Sequence, residues 1–366
     1  MKLDAALRAA PRSGAEDAPV SFFEFWPGWM FYTPIVVHWI ALGIRHRGML
    51  LPTAANPRIT AGGLCGESKT EILDQMTGEA RRLVVPYTSF VTGTGPRDDL
   101  ASAEQALARA GIGFPLVAKP DIGCNGTGVR LVHDREGLAR YLAVYPRRLR
   151  VVLQALAPEP GEAGLFYVRP PGASRGRITS ITLKHAPSVT GDGRSTLRAL
   201  ILADPRAGRL SHLYLPRLEG RLDTVPAARE RVRLVFVGNH CKGSVFEDAT
   251  NEATDALADV VERVAQALPE FHFGRIDVRF TSRADLHRGE GLRIIEINGA
   301  GSEATHIWDR RTTLLDAWRT QFQHYGAAFR IGAANRARGH RPTGIPETLR
   351  LWRLQRRLMA SYPLND

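Results

Sequence analysis

The sequence predicts an α+β protein with two lobes rather than one doubly wound parallel sheet. Strands predicted at 114–119 and 128–133 enclose a glycine-rich loop, and strands at 274–280 and 292–298 form a second pair near the C-terminal third. A helix predicted at 254–268 carries apolar residues at helical spacing. Strands and helices follow one another in irregular order, whereas a parallel sheet needs strict alternation.

The composition is that of a folded globular protein with a basic surface. Of the 366 residues, 44% are hydrophobic and 23% are charged, which excludes wholesale disorder. The net charge of +12 favours anionic partners, but no nucleic-acid recognition motif is present, so no specific nucleic-acid partner is expected. Cys65, Cys124 and Cys241 form no CxxC pair, which argues against disulfides or zinc and predicts a cytoplasmic location.

Composition and motifs divide the chain into four parts. Residues 1–66 form an N-terminal segment with an apolar helix, 67–160 an N-lobe with the glycine-rich loop, 161–330 a C-lobe, and 331–366 a basic helical tail. The tail is rich in arginine, and either docks on the body with a solvated face or contacts an anionic membrane.

The N-terminal segment raises a membrane question. Its start lacks the pattern of a signal peptide, and residues 25–44 carry no formal charge. Pro27 and Pro34 interrupt this stretch, so the predicted helix covers only 34–44, which is too short to span a bilayer. A short strand is predicted next, at 49–51. Burial of the helix in the fold and a peripheral position on the inner face of the membrane both remain open.

A lysine and a glycine-rich loop form the first chemical motif, VAKPDIGCNGTGV. Lys119 ends an apolar strand, and the loop that follows contains Gly123, Gly126 and Gly128. Glycines let backbone N–H groups approach phosphate oxygens, and the lysine adds a positive charge. A tight hairpin that needs glycines only for its turn is the alternative.

The second motif places oxygen ligands on a predicted hairpin. Pairing of the strands at 274–280 and 292–298 brings Asp277 close to Glu296, and Asn298 shares a strand face with Glu296. Two carboxylates and an amide oxygen suit Mg²⁺ that bridges nucleotide phosphates. The alternative is that Arg275 pairs with Asp277.

Lys69 is the third candidate, in the first turn of a predicted helix. A cation is electrostatically unfavourable there, and its position becomes sensible if it binds an anion. The alternative is an ordinary solvated lysine.

Together these motifs resemble the ATP-grasp superfamily, and most closely its D-alanine–D-alanine ligase branch. The resemblance runs from about Lys69 to His306, and its sharpest parts are GRIDV followed by IIEIN, and VAKP with its glycine loop. It implies two α+β lobes that clasp ATP, and an ATP-dependent ligase that activates a carboxylate of a small molecule or peptide as an acyl-phosphate and joins it to an amine. An ATP-grasp kinase and a membrane-associated ATP-binding module without catalysis remain alternatives, and a homodimer is left open.

The resemblance also assigns roles to residues. Lys69 and Lys119 look like the two phosphate-binding lysines, and Gln154 takes the place of a glutamate for the adenine amino group. Arg275 looks like the arginine that steadies the phosphoryl group and the tetrahedral intermediate. The loop residues implied to close over ATP are Gly123, Asn125, Gly126, Thr127 and Gly128, and the ligands implied for one or two Mg²⁺ ions, or for Mn²⁺ in their place, are Asp277, Glu296 and Asn298.

Three further segments are candidates for substrate contacts. In GAGSEATH, Gly301 is a candidate N–H donor to an oxyanion, and Glu303 and His306 either meet the acceptor or tie down a loop. Lys242, in GNHCKG, is a candidate γ-phosphate contact or a solvated loop lysine.

The third segment, SVTGDGRST, resembles a stretch of cyanophycin synthetase near the substrate. On that resemblance Thr190, Asp192 and Arg194 are candidate substrate residues. The alternative is a Gly-Asp-Gly turn followed by a helix that Ser195 or Thr196 caps.

Overall fold

The computed structural model describes residues 21–24, 26–93, 95–236, 238 and 243–364. Within these ranges the α-helices are α1 (Gly28–Arg45), α2 (Lys69–Asp74), α3 (Pro96–Ala110), α4 (Arg135–Val144), α5 (Leu197–Ala203), α6 (Ser211–Tyr214), α7 (Asp255–Gln266), α8 (Arg283–Arg288), α9 (Leu314–Ala337) and α10 (Ile345–Ser361). The strands are β1 (Tyr87–Val91), β2 (Leu116–Pro120), β3 (Arg130–Val132), β4 (Arg150–Ala155), β5 (Gly161–Val168), β6 (Arg177–His185), β7 (Ser188–Thr190), β8 (Arg231–Arg233), β9 (Val245–Asp248), β10 (Phe273–Phe280) and β11 (Leu292–Asn298).

The smaller lobe is a four-stranded antiparallel sheet in the order β1-β4-β2-β3. Helices α3 and α4 cover one face of it, where Leu107 and Leu138 pack against Leu116 and Leu153 from the strands. The predicted hairpin around the glycine-rich loop is confirmed, because β2 and β3 pair with Leu116 opposite Val132.

The larger lobe is a five-stranded antiparallel sheet in the order β11-β10-β5-β6-β9. The apolar stripe of α7 packs on it, which confirms the predicted amphipathic helix, and Thr254 caps that helix through its hydroxyl. Ile72 and Leu73 of α2 also lie in this core, so packing joins α2 to the larger lobe although the sequence suggested an N-lobe from residue 67. The two-lobed α+β architecture is therefore as predicted.

The β10–β11 hairpin has the predicted register. Phe280 pairs with Leu292, Asp277 with Glu296 and Arg275 with Asn298, with an irregularity after Asp277. Because side chains alternate between sheet faces, Arg275 and Asp277 share the face that also carries Glu296 and Asn298. This face borders the cleft between the lobes.

Helix α1 corrects the prediction at Pro34. The helix begins at Gly28 and continues through Pro34 instead of starting there. Proline removes one backbone donor, and the Thr33 hydroxyl donates to the Trp29 carbonyl at 2.5 Å in the same turn. Burial of Phe31 and Ile35 beneath the fold stabilises the helix enough to offset the missing bond.

The opposite face of α1 is apolar and exposed. Trp29, Val36, Val37, Ile40 and Ile44 lie at helical spacing and point away from the fold. One face of α1 is therefore buried in the fold, and the opposite face is exposed on the surface. None of the described helices combines the length and apolar character needed to cross a membrane.

Two strand predictions are wrong. In place of a strand at 49–51 there is a 3₁₀ turn, Leu51–Ala54, because Pro52 sets a turn-like backbone and cannot donate to a sheet. The alternating character of residues 231–237 also predicts a strand there, but the observed strand, β8, ends at Arg233, where pairing with β7 stops. In the C-terminal tail, α10 docks on the body and leaves its basic face in solvent. This is the first of the two alternatives that the sequence offered for the tail.

Candidate active site

A cleft lies between the two lobes. Its volume is about 430 Å³, within the range of small-molecule sites. Strands β2 and β4 line one wall, and β5, β6, β10 and β11 line the other. Two elements from the ends of the chain also reach it: Tyr32 of α1 and Gln355 of α10.

Lys119 lies at the base of the cleft, where β2 meets the larger lobe. Its ammonium donates to the Gln154 side-chain oxygen at 2.8 Å and to the Ile295 carbonyl at 3.1 Å. Burial lowers the pKa of Lys119 to about 8, against the pull of nearby carboxylates. A buried ammonium with few partners is poised to bind an anion.

Gln154, which the resemblance assigns to the adenine amino group, contacts Lys119 and β11 in the structure. Its side-chain oxygen accepts from Lys119, and its amide nitrogen donates to the Ile295 carbonyl at 3.3 Å. Gln154 therefore orients Lys119, and since an amide oxygen has two acceptor lone pairs, a second donor can still bond to it. Residues 155–157, which follow Gln154, also line the cleft.

Lys69 approaches the same region from α2. Its ammonium donates to the Gly123 carbonyl at 2.7 Å and lies 3.5 Å from the Glu296 carboxylate. Lys69 is buried rather than solvated, so the alternative of an ordinary surface lysine is wrong.

Asp121 fixes α2 against β2 and was missed by sequence reasoning. One carboxylate oxygen accepts from the Ser68 hydroxyl at 2.7 Å, and the other from the Thr70 N–H at 2.9 Å. This buried carboxylate sits at the N-terminus of α2, where an anion is favourable. The only signal was its place in the run Lys-Pro-Asp that opens the glycine loop.

The glycine loop folds as a tight connection over Lys69. Asn125, Gly126 and Gly128 have positive φ angles of 56°, 65° and 75°. A Cβ on Gly128 would lie 2.7 Å from the Pro120 ring, so the close approach requires glycine there. The N–H of Thr127 donates to the Cys124 carbonyl at 3.2 Å, within the loop. Four of the five predicted loop residues line the cleft. Gly128 does not line it and instead anchors the loop.

The floor of the cleft is an ion-pair network centred on Asp277. The Arg275 guanidinium donates to both Asp277 oxygens, at 2.8 and 3.0 Å, and Lys184 donates to one of them at 3.0 Å. Burial by itself raises the pKa of Asp277, but these two cations lower it to about 2. The Arg275–Asp277 pair that the sequence offered as an alternative is thus formed.

Lys184 and its neighbours were not predicted. Lys184 also contacts Glu162 at 3.2 Å, and Glu162 contacts Arg279 at 3.1 Å. The network contains three cations and two carboxylates, so the floor carries excess positive charge that suits phosphate or carboxylate. Lys184 lies near the end of β6 in a stretch of mixed polar and apolar residues, and no local pattern in the sequence marks it as a cleft residue.

Glu296 and Asn298 are the better placed of the predicted metal ligands. Among the residues that the structure describes, the Glu296 carboxylate has one ion-pair partner, the Lys69 ammonium at 3.5 Å. Asn298 donates its amide nitrogen to Asp277 at 3.2 Å, which directs its amide oxygen elsewhere. The described residues hold no group of three His, Cys, Asp or Glu side chains arranged for a metal ion. The donor chemistry nevertheless fits Mg²⁺, which usually takes one or two protein oxygens together with substrate phosphates.

Glu303 stands at the other end of the cleft, held by side chains distant in sequence. One of its carboxylate oxygens accepts from the Tyr32 hydroxyl at 2.6 Å and from the Gln321 amide at 2.9 Å. The Trp308 ring N–H donates to the second oxygen at 3.4 Å, and the Glu303 carbonyl accepts from Arg275 at 3.2 Å. Its donors are neutral, so they orient the carboxylate without cancelling its charge.

Gly301 does not offer the N–H that was predicted for an oxyanion. That N–H donates to the Gly63 carbonyl at 2.6 Å, and the neighbouring Ala300 N–H donates to the Gly62 carbonyl at 3.0 Å. A Cβ on Gly301 would lie 2.6 Å from the Leu64 carbonyl oxygen. Glycine at 301 therefore permits close packing of two backbone segments.

His306 ties down a loop, which was its alternative role. Its ring nitrogen Nδ1 lies 2.6 Å from the Ser180 hydroxyl, and burial lowers its pKa. His306 is not among the residues that line the cleft, although the neighbouring Thr305 is.

Thr190, Asp192 and Arg194 lie outside the cleft lining. The Asp192 carboxylate accepts from the N–H groups of Arg194 and Ser195 at 2.8 and 2.7 Å, and Thr196 caps α5. The alternative of a turn followed by a capped helix is therefore the observed structure, and the geometry gives the substrate assignment no support. Lys242 falls outside the described residues.

Glu67 is a further cleft residue that the sequence analysis passed over. One of its carboxylate oxygens is buried and has no hydrogen-bond partner among the described residues. Burial raises the pKa of Glu67, and the Glu296 carboxylate nearby raises it further, against the pull of Lys69. Glu67 lines the cleft, so this carboxyl group is a candidate for a ligand contact.

Comparisons with known proteins give limited similarity. No protein-family model matches the chain, and no curated protein matches it. Among solved structures it is similar to D-alanine–D-alanine ligase from Bacillus anthracis, at 14% identity and TM-score 0.40 over 77% of this chain and 71% of that one. It is also similar to D-cycloserine synthetase DcsG, at 16% identity and TM-score 0.36 over 75% of this chain and 70% of that one.

A third similar structure is a bifunctional glutathione synthetase from Pasteurella multocida, at 18% identity and TM-score 0.33 over 66% of this chain. The chain spans only 34% of the length of that protein. At these identities and TM-scores the similarities carry no conclusion about activity, which is argued from the cleft.

Proposed function

We propose that the chain is an ATP-dependent ligase of the ATP-grasp type, which joins a carboxylate to an amine through an acyl-phosphate. One observation supports this above the others. A single cleft brings Lys69, Lys119 and the glycine loop of one wall beside Arg275 and Glu296 of the other. Sequence motifs about 150 residues apart thus meet where a nucleotide triphosphate and a second substrate would react.

In the first step a carboxylate oxygen of the substrate attacks the γ-phosphorus, and the bond to the β-γ bridging oxygen breaks to release ADP. Two anions must approach each other, so cations have to screen them. Lys69 and Lys119 neutralise phosphate oxygens, and Lys184 and Arg275 give the floor its positive excess. The glycine loop excludes water from the acyl-phosphate, which would otherwise hydrolyse.

Glu296 and Asn298 would hold Mg²⁺ from the protein side. When bound, the ion supplies charge neutralisation for the β- and γ-phosphates and orients them. Asp277 supports the site indirectly, because it fixes the Arg275 guanidinium with two hydrogen bonds.

In the second step the amine nitrogen attacks the acyl carbon, phosphate leaves with the electrons of the carbon–oxygen bond, and the nitrogen loses a proton. Negative charge develops on the carbonyl oxygen, and Arg275 is the cation placed to stabilise it. No nucleophilic side chain of the protein is required. The products are the amide, ADP and phosphate.

The experiment is an ADP-release screen with amino acids, hydroxy acids and small peptides, with hydroxylamine added to trap an acyl-phosphate as a hydroxamate. A ligase gives hydroxamate and free phosphate in step with ADP. A kinase would give ADP with phosphate retained on the substrate. ATP binding without turnover of any of these compounds would count against the proposal and favour a binding module.

A peripheral membrane contact through α1 remains part of the proposal. It is supported by the exposed side chains of Trp29 (74%) and Ile44 (67%), followed by the exposed Arg45 and Arg47. Co-sedimentation with anionic vesicles should fall when Trp29 and Ile44 are replaced by serine. If wild-type protein stays in the supernatant and instead forms dimers, the same face is an interface between copies.

A further inference from the structure

Helix α10, near the C-terminal end of the chain, packs against the glycine loop. Thr348, Leu351, Gln355, Met359 and the capping residue Tyr362 are spaced by three or four residues and lie along one face. The other face is exposed and basic. The contacts between α10 and the glycine loop are therefore made by the inward face.

Tyr362 supports the loop from outside the cleft. Its hydroxyl donates to the Ile122 carbonyl at 2.8 Å, and its ring stacks on Tyr145 of the smaller lobe at 5.8 Å. A Cβ added to Gly123 would lie 3.5 Å from the Tyr362 ring, and one added to Gly128 would lie 3.1 Å from its Cβ. Both ends of the loop thus rest on one tyrosine.

Gln355 connects the loop to the segment that carries Lys69. Its side-chain oxygen accepts from the Gly66 N–H at 2.6 Å, and its amide nitrogen lies 3.5 Å from the Cys124 sulfur. Met359 contacts the same sulfur at 3.4 Å. One turn away, Leu351 is buried within 3.1 Å of a Cβ placed on Gly66. Gln355 itself lines the cleft.

We infer that α10 fixes the glycine loop over the triphosphate position, with Gln355 and Tyr362 as positioning residues for ATP. The loop implied by the resemblance is a flexible one that closes on ATP, whereas here a helix more than 200 residues away in sequence holds it in place before ATP binds. Pre-ordering the loop lowers the entropy cost of binding. The role of α10 in catalysis rests on the proposed function. The ordering of the glycine loop by α10 does not depend on it.

The contacts define a graded set of variants. Tyr362→Phe removes the hydroxyl bond and keeps the ring stack, and Tyr362→Ala removes both. Gln355→Met keeps the length of the side chain and removes the acceptor for Gly66. Arg353→Ala, on the exposed face of the same helix, is the matched control.

The first measurement is hydrogen exchange of the 122–129 backbone amides without nucleotide. Exchange should be slow in the wild type and in Arg353→Ala, faster in Gln355→Met and Tyr362→Phe, and fastest in Tyr362→Ala. Unchanged exchange in Tyr362→Ala would overturn the inference, whatever the enzyme catalyses.

The second measurement is ATP binding and the KM for ATP. Loss of one hydrogen bond predicts a rise of about fivefold in Kd and KM for Tyr362→Phe, with a larger rise for Tyr362→Ala and little change in kcat. A purely structural role would lower the active fraction and leave KM for ATP unchanged, which would contradict the inference. If the wild type binds ATP but forms no hydroxamate with any substrate, the proposed function fails while both measurements still decide the role of α10.

Discussion

The two ends of the cleft are built in different ways. At the end where we propose that the phosphates bind, called the phosphate end, Lys119 and the glycine loop are neighbours in sequence, and Asp121 joins them to the helix that carries Lys69. At the end where we propose that the second substrate binds, called the substrate end, Glu303 is held by Tyr32, which lies 271 residues away, and by Gln321. The first end is a motif, and the second is an assembly of distant elements.

The charges at the two ends differ as well. Lysines dominate the phosphate end, which suits the anionic tail of a nucleotide. The substrate end presents the Glu303 carboxylate, oriented by neutral donors, next to the Arg275 guanidinium. Changes at the phosphate end should therefore abolish turnover, whereas changes at the substrate end should alter which molecule is accepted.

The largest effect is expected at Lys119. Lys119→Met removes the buried ammonium and should lower kcat/KM by about 10²- to 10³-fold, the usual loss when a preorganised charge is removed from a site. The melting temperature should not fall, because burial already disfavours the charged form of Lys119. ADP release and thermal unfolding, measured together, check both statements. Turnover that persists in the folded variant would contradict the assignment of the phosphate end.

The next prediction compares two variants, one at Glu296 on β11 and one at Asp277 on β10. Glu296→Gln should remove most turnover and raise the Mg²⁺ concentration needed for the remainder, with a melting temperature close to that of the wild type. Asp277→Asn removes the carboxylate that Arg275 and Lys184 share, which leaves Lys184 with Glu162 alone, and should cost about 3 kcal/mol or more of unfolding free energy. Chemical denaturation and Mg²⁺ titration distinguish the two. Equal destabilisation in both variants would show that Glu296 is only a structural ion-pair partner.

A smaller and more selective effect is expected at Glu303. Glu303→Gln keeps the shape and removes the charge, so the KM of the second substrate should rise about tenfold while the KM for ATP stays constant. Tyr32→Phe should give a weaker change in the same direction, because it removes one of the bonds that orient the carboxylate. Steady-state kinetics with each substrate varied in turn test this. An effect confined to ATP would reverse the assignment of the two ends.

The smallest effect is a pH dependence beneath the substrate end. His324 is packed among Phe166, Phe273 and Tyr325, and burial lowers its pKa to about 3 from 6.5. Since the unfolded chain binds the proton first, His324 contributes stability above pH 6.5 that is lost as pH falls toward 3. Melting temperatures from pH 7 to pH 4 should fall less steeply for His324→Phe than for the wild type. Parallel curves would mean that His324 is not a source of acid sensitivity.

The sequence by itself determined the parts whose partners are close along the chain. The hairpin with Lys119 and its glycine loop and the register that pairs Asp277 with Glu296 were both predictable, because strand alternation and short connections leave few options. The prediction failed where local patterns compete with packing, as at Pro34, where burial of the helix outweighs one missing hydrogen bond.

Only the tertiary structure decided which groups share the cleft and which atoms are already engaged. The Gly301 N–H was chemically suitable for the role predicted but donates to the Gly63 carbonyl, and the Gln154 oxygen already accepts one hydrogen bond from Lys119. Lys184 and the placement of α10 on the glycine loop gave no local signal. The physical reason is that a hydrogen bond depends on the distance between two atoms in space, and for residues hundreds of positions apart that distance is set by how the sheets and helices pack.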